Sequence, residues 1–369
     1  MERHRFHLLD ALRGLAAILV VTFHAPSQLK YFLIFPNSFL AVDFFFCLSG
    51  FVIAFSYEER LKKSMTLRNF VVVRLIRLYP LYALSIVISF VRVLNGSHLI
   101  QQLHSSSSLA TLVGMSILLI PNVLIRAAGA QLFPLNSPAW SLFLELVANV
   151  AYGCLFLWRI ARVGLPLLCL ASLGVLTFLA FQGSTLDFGT ARQGMSFGFA
   201  RVGFSFTAGI LLFRIFNRSS SRLNGAQSLL GSIAAAGLLL AALMVSGRWS
   251  STGPFQLFAV AVLFPALVYL GASCIVPRKI AGFCAFLGDM SYPLYILHLP
   301  LMLPNFDLGS LRWLKHHQSV WPYILPAYMV FLVVVSWWIG HSVDLPVRRR
   351  LTTAFKSFLT SRAPSTRSA

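Results

Sequence analysis

Along this chain, apolar runs close to 20 residues alternate with short connections that carry most of the charge. A helix needs about 20 residues to cross a hydrocarbon core of roughly 30 Å. No polar stretch between the runs is long enough to fold alone. The pattern predicts an all-α polytopic bundle of about ten spans, near 7–27, 38–57, 70–94, 138–158, 164–182, 195–214, 227–246, 255–276, 283–303 and 320–341. A further apolar piece, 109–125, is read as re-entrant or interfacial. If it crossed, RIAR at 159–162 would fall on the outer side; if it does not, the basic connections RHR, RLKKSMTLR, RIAR, RIFNRSSSR, PRK and RRR all share one side. The expected organisation is one membrane domain, 1–351, and a short polar tail, 352–369, taken to be disordered.

Composition narrows the class. Of 369 residues, 57% are hydrophobic and 11% charged, against about 25% charged in a soluble domain. The net charge of +20 would suit nucleic acid. Its confinement to short connections is instead the positive-inside signature, so no nucleic-acid partner is expected. The same rule places both termini in the cytoplasm; the expected location is the inner (plasma) membrane. Cys47, Cys154, Cys169, Cys274 and Cys284 lie in apolar stretches without CxxC spacing and read as small buried hydrophobes. The first apolar run carries Arg13 and His24 and is read as a retained span. No repeat of fixed period is visible, nor the inverted repeat of many transporters.

Arg13 and His24 are the main chemical signal. Eleven residues close almost three helical turns, so both side chains face one way, about 16 Å apart along the axis. Ionisable groups inside a span are costly and mark functional sites. Of ten acidic residues, Asp10, Asp43, Glu145, Asp289 and Asp344 lie in or beside spans. A shared internal site is preferred over separate pairings with arginines. Arg74 and Arg77 open the third span as neighbours on one helix face. They either snorkel to headgroups or join Arg13 in a phosphate-binding cluster, which the planar guanidinium fork favours. His298 lies in an apolar span, where a lone histidine is as a rule an interhelical hydrogen-bond partner. No His/Asp/Glu set has metal-ligand spacing, so no metal is predicted.

Five segments together resemble acyltransferase family 3, the integral membrane O-acyltransferases of bacterial surface polysaccharides and related glycans. RGLAAILVVTFH is similar to the family's R-x10-H motif, VDFFFCLSGFVI to its second-span motif and RLIRLYPLY to its basic third-span entry. PAWSLFLELVANVAY resembles its Trp-Ser-Leu-x-x-Glu segment, and LGDMSYPLYILHLP its Ser-Tyr-x-x-Tyr-x-x-His-x-Pro element. The resemblance runs from Leu9 to Pro346. Ala41, Val73 and Asp344 depart from it, at positions where Gly, Arg and Glu are usual.

The resemblance implies transfer of an acyl group, acetyl by default, from cytoplasmic acyl-CoA to a hydroxyl of a lipid-linked or surface glycan. Acyl-CoA is then a co-substrate, with no tightly bound cofactor, and membrane lipids complete the partners. Arg13, Arg74 and Arg77 would hold the donor phosphates, and the pantetheine arm would bridge to His24, the general base. Asp43 or Glu145 would orient His24, with no choice between them. Ser49, Ser141 and Tyr292 are candidate oxyanion donors. Trp140 either stacks on a sugar or anchors at the interface, and His298 is placed with the substrate-binding residues. Direct transfer and an acylated His24 both remain open. The rival class is a transporter or flippase using the Arg/His/acid cluster as a proton or substrate path.

Overall fold

The computed structural model describes residues 5–24, 35–94, 106–183, 185–219, 222–244, 252–302, 317 and 320–361. The connections 25–34, 95–105 and 303–316, and the tail beyond Ser361, lie outside the described residues. Among the described residues the regular structure is helical, with only two isolated β-bridges, Gln131–Ala191 and Leu223–Cys274.

The helices are α1 His7–Phe23, α2 Ala41–Lys63, α3 Leu67–Leu94, α4 Ser106–Ile117, α5 Ala139–Leu157 and α6 Ala161–Phe181. They continue as α7 Met195–Ser219, α8 Gly225–Met244, α9 Gly253–Ser273, α10 Arg278–Leu301, α11 Trp321–Ile339 and α12 Leu345–Ser361. Among the described residues, nine helices are long and apolar enough to cross a bilayer, with α11 and α12 counted as one. They coincide with the last nine of the expected spans. The remaining expected span is α1, whose described helix is 17 residues long and is capped by His24. The chain is an all-α, multi-pass membrane protein.

Two elements differ in extent from the expectation. Helix α4 is only 12 residues, about 18 Å at 1.5 Å per residue, too short to cross. The chain turns at Leu119, φ 55°, into an irregular segment. Arg192 pins that segment by donating to the carbonyls of Asn122 (3.1 Å) and Ile125 (3.0 Å). The tail from Thr352, expected to be disordered, is helical to Ser361 and follows α11 through a π-helical turn, Gly340–Asp344. Val347, Leu351, Phe355 and Phe358 recur at helical spacing on one face. The Thr352 and Ser357 hydroxyls donate to carbonyls four residues back, at 2.7 and 3.0 Å.

Glu58, read from sequence as part of a polar connection, is buried at 4% exposure. It takes ion pairs from Arg214 (3.1 Å) and Lys62 (3.0 Å) and a hydrogen bond from Tyr152 (3.2 Å), tying α2 to α5 and α7. This network explains why α2 runs six residues past its expected end at 57.

Helix α1 lies along α10, and α2 along α7. The first contact positions the site. A Cβ on Gly14 would stand 2.6 Å from the Leu287 carbonyl oxygen, and one on Gly288 would meet the Asp10 carboxylate at 2.5 Å. With hydrogen in both places, Gly14 lies against the Leu287 backbone and Gly288 makes room for the Asp10 side chain, a close approach that small residues permit in membrane bundles. The Arg13–His24 face is thereby pressed onto α10.

Candidate functional site

Arg13 and His24 both meet α10. Arg13 donates from Nε to Ser291 (2.8 Å) and from Nη2 to the Gly288 carbonyl (2.6 Å), and pairs with Asp10 at 3.2 Å. One end of α1 therefore holds a guanidinium fixed from three sides. At the other end the His24 Nδ1 lies 3.0 Å from the Val20 carbonyl and 3.3 Å from His298 Nε2. The two imidazole centroids are 4.9 Å apart. His298 is fully buried, and its Nδ1 lies 2.7 Å from the Tyr295 carbonyl and 3.2 Å from that of Leu294.

Beside this seam is a cavity of about 190 Å³. Its polar lining is Arg13, Arg74, Arg77 and Glu145, with Ser49, Ser141, Ser291, Tyr292 and Tyr295. Three helix entries, on α1, α3 and α5, thus bring three guanidiniums and one carboxylate to a single space. Glu145 accepts from Arg74 (2.9 Å) and Ser49 (2.6 Å). Among the described residues Arg77 makes no side-chain hydrogen bond or ion pair. The charges of Arg348, Arg13 and Arg74 repel it, and that of Asp344 attracts it. The cavity carries more positive than negative charge, and a buried cation without a partner is costly. An excess of positive charge in such a space favours an anion over a cation.

Tyr295 links the cavity to the histidines. Its hydroxyl is 2.7 Å from Ser141 Oγ in the cavity wall, and its ring centroid is 6.2 Å from that of His298. Phe45 packs edge-on against it at 5.7 Å. The arginine-lined cavity and the two histidines are thus separated by one aromatic pair, Phe45 and Tyr295.

Several expectations need correction. The five intramembrane acids do not share one site. Asp10 and Asp289 pair with Arg5 (2.5 and 2.8 Å), Asp43 with Arg201 (2.6 Å), Glu145 with Arg74, and Asp344 with Arg348 (2.9 Å). Each carboxylate answers the cation that packing brings nearest. Neither Asp43 nor Glu145 bonds His24; the side chain set against its Nδ1 is His298. Asp43 is 1% exposed and is closed off by a guanidinium that also donates to the Phe188 (2.6 Å) and Phe39 (3.1 Å) carbonyls. Trp140 offers no open stacking face. It is 5% exposed, with the Arg201 guanidinium 5.2 Å over its ring and Gly189 against its edge. Of the three oxyanion donors considered, Ser49 gives its proton to Glu145 and Tyr292 gives its own to the Leu78 carbonyl. Ser141 lies on the cavity wall, its hydroxyl donating to the Pro138 carbonyl (3.0 Å) and standing 2.7 Å from that of Tyr295.

Sequence reasoning left out Arg201, Ser291 and Tyr295. Arg201 carried a signal, being a lone cation inside MSFGFARVGFSFTAG. Ser291 and Tyr295 are four residues apart and His298 follows three later, so all three share one face of α10. Asp187, assigned no role, stands within electrostatic reach of Arg201 and His24.

Among the described residues no group of three or more His, Cys, Asp or Glu could hold a metal ion. A family model described as an acyltransferase domain matches residues 6–341. A similar protein, "Protein 2 in picA locus" from Rhizobium radiobacter, is 40% identical over 159 residues, covering 40% of this chain and 81% of that protein. No solved structure matches the chain.

Proposed function

The chain belongs to the acyltransferase domain family, and from that premise we propose that it moves an acyl group from acyl-CoA to a hydroxyl of a cell-surface carbohydrate, with His24 as general base. The observation that carries this reading is the arginine-lined cavity, in which Arg77 has no partner among the described residues. Coenzyme A brings several phosphate charges, and arginine binds phosphate bidentately. Acetyl is the acyl group that the family resemblance makes the default.

The donor enters from the cytoplasm, where the basic connections place the Arg13 end of the bundle. Its phosphates sit among Arg13, Arg74 and Arg77. Its pantetheine arm leads from the cavity past Tyr295 towards His24, which lies roughly 16 Å from Arg13 along the helix. The acceptor approaches from the outer side of the inner membrane. His24 takes the hydroxyl proton as the oxygen attacks the thioester carbonyl. The carbon–sulfur bond then breaks, and the departing thiolate takes up the proton that the imidazolium returns.

Purified protein in nanodiscs, supplied with acetyl-CoA and a glycan acceptor, tests the core of this reading. His24→Ala should lower transfer by about 10²–10⁴-fold while acyl-CoA still binds. Near-normal transfer by that variant would remove His24 from the chemistry. Mass spectrometry of surface glycans with and without the gene tests the acceptor class, and an unchanged acylation pattern excludes it.

A further inference from the structure

We infer that His298 is a positioning residue for His24, acting through a histidine–histidine hydrogen bond that fixes which nitrogen of His24 is the base. The inference rests on the proposed role of His24.

A carbonyl oxygen only accepts, so the nitrogen facing it carries the hydrogen. His298 Nδ1 faces the carbonyls of Tyr295 and Leu294, at 2.7 and 3.2 Å, and is therefore N–H. In the neutral ring this leaves His298 Nε2 as an acceptor, 3.3 Å from His24 Nδ1. His24 Nδ1 also faces the Val20 carbonyl at 3.0 Å. Both neighbours accept, so the His24 hydrogen is on Nδ1 and is shared between them. The basic lone pair of His24 is then on Nε2, the nitrogen that takes no part in either contact.

The two rings are not equivalent. His298 has both nitrogens committed, one to carbonyls and one to His24, and is fully buried. It cannot receive the proton of a hydroxyl substrate. It can accept a stronger bond from Nδ1 when His24 becomes imidazolium, which stabilises the charge that develops during attack. A carboxylate does this in the serine-protease triad; here the partner is a neutral ring. A neutral partner avoids placing another charge in the apolar interior, where desolvation is costly.

Three variants test this: His298→Leu, which removes the acceptor; His298→Gln, which keeps an acceptor at the place of Nε2; and His24→Ala/His298→Leu. His298→Leu should lower kcat by about 10–100-fold with KM for acyl-CoA unchanged. His298→Gln should recover a substantial part of that loss. In the His24→Ala background, His298→Leu should cost nothing further, because the two act as a unit. Equal losses in Leu and Gln, a loss expressed in KM or thermal stability, or additivity in the double variant would overturn the positioning role. The proposed role of His24 fails separately, if His24→Ala alone keeps transfer.

Discussion

Two buried charge clusters in this bundle use the same residue types to opposite ends. Asp43 and Arg201 join α2 to α7, each 1% exposed, and each nitrogen of the guanidinium has an acceptor in Asp43, Phe39 or Phe188. The cluster of Arg13, Arg74, Arg77 and Glu145 lines a cavity, has three cations for one carboxylate, and leaves the buried Arg74 Nε unsatisfied. A neutral, closed pair has nothing left to offer a ligand, and its worth lies in holding two helices together. A cationic, open cluster is unfavourable on its own and is relieved by an anion. Under the proposed function, intramembrane charge serves binding only where pairing is incomplete.

The contrast can be broken in descending order of effect. Removing one partner of the closed pair strands the other charge, so Asp43→Asn should cost about 3–5 kcal/mol of stability. A thermal melt in detergent reads this, with acyl-CoA affinity per folded molecule unchanged. Asp43→Leu/Arg201→Met should recover much of the loss, since no charge is then stranded. A stable Asp43→Asn protein would mean that the pair does not carry the fold. Arg77→Gln should behave in the reverse way. It removes a charge-assisted contact worth about 1.5–3 kcal/mol, read by calorimetry as roughly 10–100-fold weaker acyl-CoA binding, with no loss of melting temperature. Unchanged affinity would move the donor out of the cavity. The smallest effect is expected at Ser291→Ala, which takes one hydrogen bond from Arg13. About 1 kcal/mol, or some fivefold in KM for the donor with kcat preserved, is the anticipated outcome of steady-state kinetics.

Much of the architecture was legible in the sequence because membrane helices announce themselves locally. Nine helices coincide with expected spans, and the failure of 109–125 to cross follows from the charge of RIAR alone. The misreadings arise where a residue's fate depends on a distant partner. Glu58 reads as a loop acid until Arg214, 156 positions away, is brought to it. Trp140 reads as a stacking platform or an interfacial anchor until Arg201 is seen to cover it. The tail beyond Thr352 was judged on polarity, which hid the helical spacing of Val347, Leu351, Phe355 and Phe358.

The sequence by itself determined that Arg13 and His24 share a face and lie about 16 Å apart, because helix geometry is set by local backbone bonds. It also determined which rare charges are forced into the apolar interior. The tertiary structure alone decided which acid answers which arginine, that Arg77 is left over, and that His298, 274 positions from His24, stands against it. Those outcomes depend on how closely two helices approach. At the α1–α10 seam, that is decided by Gly14 and Gly288, where there is no Cβ to hold the backbones apart.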